Sequence, residues 1–201
     1  MQQDPQSNRQ RNVIRKQVRA ARRGLCNAQR LRRSHALCQQ LLHSGWLLRA
    51  DRFALFYPND GEVDLSALFA RLWQMGKQIY LPVIPGPRLW FQPFTPRTRL
   101  LDNCYGIPEP PTNGALRIPV QSLDVVLMPL VAFDLQGNRI GMGGGYYDRS
   151  FAYLRGRRHW RRPRLVGVGF ELQLQPGLQP QAWDVPLDAA VTESAFYTFR
   201  V

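Results

Sequence analysis

Leu123-Asp124-Val125-Val126-Leu127-Met128-Pro129-Leu130 is the stretch from which the fold can be read. It is an almost unbroken apolar run, the mark of a central strand covered on both faces. Outward from it the pattern alternates between strand and helix. Arg52–Tyr57 and Gln78–Ile84 read as strands, with a helix over Leu65–Met75 between them. Leu89–Phe94 reads as a shorter strand, and a loop rich in Pro, Gly and Asn runs from Asp102 to Pro119. Beyond the central run, Tyr146–Leu154 is expected as a helix, Leu165–Phe170 as a buried strand and Ala195–Arg200 as a terminal strand. Apolar strands interleaved with helices predict an α/β class, here a single-domain open α/β sandwich on a mostly parallel central sheet.

Ahead of this lies a basic helical segment. From Asn12 to about Leu48, residues such as Val18, Leu25, Leu37 and Leu41 fall near 3.6-residue spacing. Gly24 and Cys26-Asn27-Ala28 split the segment into two helices, with Asn27 expected as the second cap. Residues 1–10 are expected as a disordered lead, and 11–201 as one domain. Residues 1–50 carry eleven basic side chains against Asp4 alone, and Arg155–Arg164 adds six more, within a net charge of +13. Such a field attracts polyanions: nucleic acid, nucleoside triphosphate or a polyglutamate tail. The plain alternative for these arginines is a solvated helical face.

Composition narrows the class further. No apolar run approaches the roughly 18–20 residues of a membrane span, and Met1–Arg11 lacks the apolar region of a signal peptide, so a cytoplasmic protein is expected. Cys26, Cys38 and Cys104 form no CxxC pair, and His35, His43 and His159 are scattered. A disulfide framework or zinc site is therefore not expected, and any metal should be held by oxygen.

The densest chemical signal follows the central strand: Asp134-Leu135-Gln136-Gly137-Asn138-Arg139-Ile140-Gly141-Met142-Gly143-Gly144-Gly145-Tyr146-Tyr147-Asp148-Arg149. Its glycines let backbone N–H groups approach an anion without a Cβ in the way. A helix starting near Tyr146 would add the partial positive charge of its N-terminus, and Asp148 stands where it could hold a Mg²⁺ bridging phosphate oxygens. The segment is neither a Walker A sequence nor a clean GxGxxG.

These residues resemble the signature of the 5-formyltetrahydrofolate cyclo-ligases, also called methenyltetrahydrofolate synthetases. Other segments resemble that family in order: Arg15-Lys16-Gln17-Val18-Arg19, Asn59-Asp60-Gly61-Glu62-Val63-Asp64, Tyr105-Gly106-Ile107-Pro108-Glu109-Pro110, and Trp183-Asp184-Val185-Pro186-Leu187-Asp188 with Val191-Thr192-Glu193. Together they span roughly residues 11–200. Arg15 stands where the family has lysine, which keeps the charge and changes the contact geometry. The basic Arg155–Arg164 loop is longer than the family needs.

The resemblance implies an ATP-dependent closure of 5-formyltetrahydrofolate to 5,10-methenyltetrahydrofolate, with ATP and Mg²⁺ required. It implies that Gly141, Met142, Gly143, Gly144, Gly145, Tyr146 and Tyr147 hold the triphosphate, with Arg15 and Arg19 closing from the N-terminal helix. Gly144, Gly145, Tyr146 and Tyr147 would also meet the folate. Glu62 would accept hydrogen bonds from the aminopyrimidine edge of the pterin, and Tyr57, Tyr146 or Tyr147 would stack on a ring of the substrate. Asp148 and Asp188 would carry Mg²⁺. No side chain is expected as a nucleophile, because the reaction needs positioning and phosphate neutralisation. The alternatives are core packing for each tyrosine, a surface charge for Glu62 and a loop charge for Glu109. A monomer acting on a small folate, with or without a polyglutamate tail, is expected, with no membrane or nucleic-acid partner. A nucleic-acid-binding module using the basic helix and the Arg155–Arg164 loop is the rival reading; it lacks a helix-turn-helix, an RNP aromatic signature or zinc spacing.

Overall fold

The computed structural model describes residues 5–156 and 162–199. Two helices come first, α1 (Pro5–Arg23) and α2 (Asn27–His43). β1 (Arg52–Ala54), α3 (Ser66–Gln74), β2 (Gln78–Val83) and β3 (Trp90–Phe94) follow, then the short strands β4 (Leu101–Asp102) and β5 (Pro108–Glu109). β6 (Val125–Pro129) leads to β7 (Ala132–Phe133), β8 (Arg139–Ile140) and α4 (Tyr146–Ser150). β9 (Arg164–Val168), β10 (Ala189–Val191) and β11 (Phe196–Thr198) complete the order.

Seven strands form one sheet in the order β11-β10-β9-β6-β1-β2-β3. The five central strands are parallel, and β11 and β3 close the two edges antiparallel. The mostly parallel α/β expectation is thus met, with the apolar run at 123–130 in the central position. Period-two side-chain alternation sends Phe53, Leu127 and Val166 to one face, against Leu37 and Leu41 of α2 and Leu68 and Leu72 of α3. Ala54, Val126, Met128 and Leu165 face the other way, against Phe91, Phe133, Phe151 and Leu154. Burial of each large apolar side chain contributes roughly 1.5–3 kcal/mol.

Several boundaries differ from expectation. Residues 5–10 are helical rather than a disordered lead. They are tied down by residues far along the chain: Gln181 Nε2 donates to Ser7 Oγ at 2.5 Å, and Arg11 Nη1 to Asp184 Oδ2 at 2.8 Å. Cys26, not Asn27, occupies the cap of α2, where its N–H donates to Gln29 Oε1 at 3.0 Å. α4 is only five residues long and gives way to a 3₁₀ turn at Ala152–Leu154. β10 and the β4–β5 and β7–β8 hairpins lay in segments with no strand signal, because two- and three-residue strands are too short to show a period.

The topology also positions a site. In the sheet the chain passes from β1 outward to β2, and then returns across β1 to β6, β9 and β10. A crevice opens beyond the carboxyl ends of strands where such an order reverses, here between β1 and β6.

Candidate active site

A cleft of about 510 Å³ lies at that reversal. Phe56 and Tyr57 beyond β1, Leu81 and Pro82 of β2, and Pro129 of β6 line it. Its volume falls in the range of small-molecule sites. The loop from Gly141 to Gly145, with Tyr146, Tyr147 and Asp148, forms one wall, and Arg11, Arg15, Glu62 and Asp184 also reach the space.

The glycine loop is shaped by conformations that side chains resist. Gly143 has φ +106° and Gly145, at the cap of α4, has φ +64°. A Cβ on Gly144 would lie 2.9 Å from the Tyr146 ring. Arg15 Nε donates to Gly141 O at 2.8 Å, so α1 holds the loop's first carbonyl. Burial first, then neighbouring Arg11, lowers the Arg15 pKa against an opposing pull from Asp184. Because α4 is a single turn, its dipole offers a guest little; the backbone N–H groups of the loop and Arg15 are what an anion would meet. Met142 lines the same wall with an exposed side chain.

Glu62 is buried, and its Oε2 accepts from Asn59 N at 3.1 Å. Burial pushes its carboxyl up to about 7, with Asp60 adding to the rise and Arg22, the Asn59 N–H and Arg19 opposing it. Arg22 is fully buried and sits 3.9 Å from Glu62 Oε1. It donates to Leu130 O at 3.2 Å, Asp60 O at 3.1 Å and Asp60 Oδ2 at 2.9 Å. Burial pushes the Asp60 carboxyl up, but Arg19, Arg23 and Arg22 overcome it and hold it at about 2.

Of the tyrosines, Tyr57 stacks on Phe69, with centroids 5.5 Å apart, while still reaching the cleft. Tyr147 stacks on Phe151 at 6.3 Å, and burial raises its phenol pKa, with Glu62 adding to the rise. Both combine core packing with a cleft-lining edge.

Asp148 lines the cleft; its Oδ1 accepts from Arg139 Nη2 at 2.7 Å and from Val185 N at 3.1 Å. A Mg²⁺ that draws most of its ligands from phosphate and water needs only one or two carboxylates, so Asp148 fits that role. Among the described residues no three His, Cys, Asp or Glu side chains gather into a metal cage.

Two expected site residues lie elsewhere. Asp188 is buried, accepts from Leu165 N at 2.6 Å and Arg164 Nη1 at 3.2 Å, and is not among the cleft-lining residues. It ties β9 to the start of β10, and Asp184 is the carboxylate that reaches the cleft from this segment. Arg19 likewise turns away: its Nε donates to Asp60 Oδ2 at 2.8 Å. Nothing in a run of arginines marks Arg11 and Arg22 as the ones that are buried, and neither Arg139 nor Asp184 carries a local signal that it reaches the cleft.

Part of the basic segment is tied into ion pairs within the fold. Arg11, Arg19, Arg22, Arg23 and Arg33 pair with Asp184, Asp60 and Glu193. Of the Arg155–Arg164 loop, residues 157–161 lie outside the described residues; Arg162 pairs with Asp124 at 2.6 Å and Arg164 with Asp188. These pairs act as staples between distant parts of the chain. No helix among the described residues is long and apolar enough to cross a membrane.

The sequence model of the 5-formyltetrahydrofolate cyclo-ligase family matches residues 7–193. A 5-formyltetrahydrofolate cyclo-ligase of Haemophilus influenzae is 36% identical over 182 residues, covering 88% of this chain and 94% of its own. One of Escherichia coli is also 36% identical over 182 residues, covering 88% of this chain and 97% of its own. The NMR structure of Aquifex aeolicus 5,10-methenyltetrahydrofolate synthetase superposes with a TM-score of 0.81 at 31% identity, over 95% of this chain and 93% of that one.

Proposed function

This chain belongs to the 5-formyltetrahydrofolate cyclo-ligase family, and from that premise we propose that the cleft between β1 and β6 carries out ATP-dependent closure of 5-formyltetrahydrofolate to 5,10-methenyltetrahydrofolate. The observation that carries the reading is that the glycine loop and buried Glu62, far apart in sequence, open onto one cleft.

The N5-formyl group is an amide, so its carbon is a poor electrophile and its oxygen a poor leaving group. Transfer of the γ-phosphoryl group of ATP to that oxygen releases ADP and leaves an N5-iminium carbon bearing phosphate. The N10 amine then bonds to this carbon, the carbon–oxygen bond breaks, and phosphate departs with the N10 proton. The chain's task is placement and charge compensation. The Gly141–Gly145 backbone and Arg15 would receive the triphosphate, and Glu62, as carboxylate, would accept from the donor-rich pterin edge. Tyr57 and Tyr147 would offer ring edges to the folate. Asp148 would hold Mg²⁺, which supplies charge neutralisation on phosphate oxygens when bound. We assign the acting form as a cytoplasmic monomer, and the exposed arginines as sites for glutamate-tail carboxylates.

The test is a coupled measurement of methenyltetrahydrofolate absorbance and phosphate release. ATP hydrolysis should depend on 5-formyltetrahydrofolate and be unaffected by RNA. Turnover stimulated by RNA, or none with the folate, would sink the reading.

A further inference from the structure

The reaction as derived leaves Tyr105-Gly106-Ile107-Pro108-Glu109-Pro110 without a task, although this segment faces the cleft. β4 and β5 form a hairpin apart from the main sheet, pairing Leu101 with Glu109 and Asp102 with Pro108. Asn103 builds its tip. The Asn103 Oδ1 accepts from Tyr105 N at 2.9 Å and Ile107 N at 3.2 Å, and its Nδ2 donates to Glu109 Oε2 at 2.9 Å. Glu109 is thus a brace of the hairpin and not merely a loop charge.

The tip carries Tyr105 to the opposite wall. The hydroxyls of Tyr105 and Tyr146 lie 2.9 Å apart, and their rings meet edge to face at 6.3 Å. Tyr146 is backed by Arg149, whose guanidinium carbon lies 5.1 Å from the ring centroid. Tyr105 remains 55% exposed, so the contact spans the mouth of the cleft rather than its floor. Two elements that share no sheet are joined there by one polar contact.

We propose that the β4–β5 hairpin is a strap across the cleft, latched by the Tyr105–Tyr146 hydroxyl contact, which keeps water from the phosphorylated formyl carbon until N10 attacks. The proposal rests on the cyclo-ligase reading. The activated carbon has two competing nucleophiles. Attack by N10 closes the ring. Attack by water makes the water oxygen the new formyl oxygen, breaks the carbon–oxygen bond to phosphate, and sends one proton to the departing phosphate and one to solvent. That second route regenerates 5-formyltetrahydrofolate and consumes ATP for nothing. Closing a site over a reactive intermediate is the general means of suppressing such hydrolysis.

The experiment measures phosphate released per methenyl product, and heavy-oxygen incorporation into recovered 5-formyltetrahydrofolate in ¹⁸O-water. Wild type should give one phosphate per product and unlabelled substrate. Tyr105→Ala should raise the ratio at least about twofold and label the recovered substrate. Tyr105→Phe keeps the ring but loses the latch and should fall between them; it decides the matter if Tyr105→Ala loses turnover. Ratios of one with unlabelled substrate in the active variants would overturn the strap. A wild-type protein that forms no methenyl product overturns the reaction assignment, and the strap with it.

Discussion

Glu62 is a carboxylic acid placed where burial and an arginine pull its proton in opposite directions. Folded Glu62 keeps its proton up to about 7, whereas an exposed glutamate releases it near 4.5. The fold therefore binds the extra proton between those values, and this residue's contribution to stability falls as pH rises through the window. Glu62→Gln should remove that slope in urea titrations run across the same range. The substrate argument has the opposite sign, since only the carboxylate is the strong acceptor. Folate affinity of wild type should weaken as pH falls below about 7, while Glu62→Gln should be flat and weaker by about 1.5–3 kcal/mol, with ATP binding spared. Calorimetry with each ligand separately checks both statements. The two aspartates separate in the same way. Asp148→Asn should lose turnover most severely at limiting Mg²⁺. Asp188→Asn should leave the Mg²⁺ dependence alone and cost about 1–3 kcal/mol of stability, because its carboxylate is spent on Leu165 N and Arg164.

At the scale of elements, the glycine loop and α1 act together. Gly145 combines a left-handed φ with a close neighbour: an added Cβ would lie 2.8 Å from Arg149 Nη1. Gly145→Val should therefore distort the loop and raise the KM for ATP well above any change for folate. A larger rise for folate would assign the loop to the other substrate. Helix α1 reaches the cleft through Arg11 and Arg15 and braces Glu62 through Arg22. Arg22→Met would remove one of two donors to the Leu130 carbonyl, which keeps Gln173 Nε2 at 2.7 Å, and leave Glu62 without its nearest cation, while Asp60 keeps Arg19 and Arg23. Urea unfolding should register a loss of about 1–3 kcal/mol.

For the molecule as a whole, the net charge of +13 coexists with arginines that are committed to ion pairs inside the fold. Arginines paired with Asp60, Asp184 and Glu193 hold the N-terminal helices against the sheet and the closing loops. Substrate KM should fall with glutamate tail length at low salt, by ~0.2–1 kcal/mol per added carboxylate. Screening over ~10 Å at 0.1 M salt should erode that gain and leave the pterin contacts untouched. An Arg157→Ala/Arg158→Ala double variant compared across tail lengths measures how much of the gain this loop supplies. Equal KM values for all tails at low salt would leave these arginines as solvated surface.

The class of fold, and a glycine loop that proves to line the cleft, are legible in the sequence alone. The apolar run at 123–130 has to be a strand covered on both faces, and four glycines within Gly141–Gly145 have to let a backbone close on something small. Those are local statements, readable because period and backbone freedom are properties of neighbouring residues. Which charges meet is not local. Arg11 and Asp184 are 173 positions apart, and Arg22 and Leu130 are 108 apart. Only the folded chain decides that Arg22 is buried while Arg23 is exposed, that Asp184 and not Asp188 faces the cleft, and that residues 5–10 form helix. The reason is the same in each case. Transferring an arginine or an aspartate from water is unfavourable until a partner stands opposite it, and the partner's position is set by the packing of elements far apart in the chain.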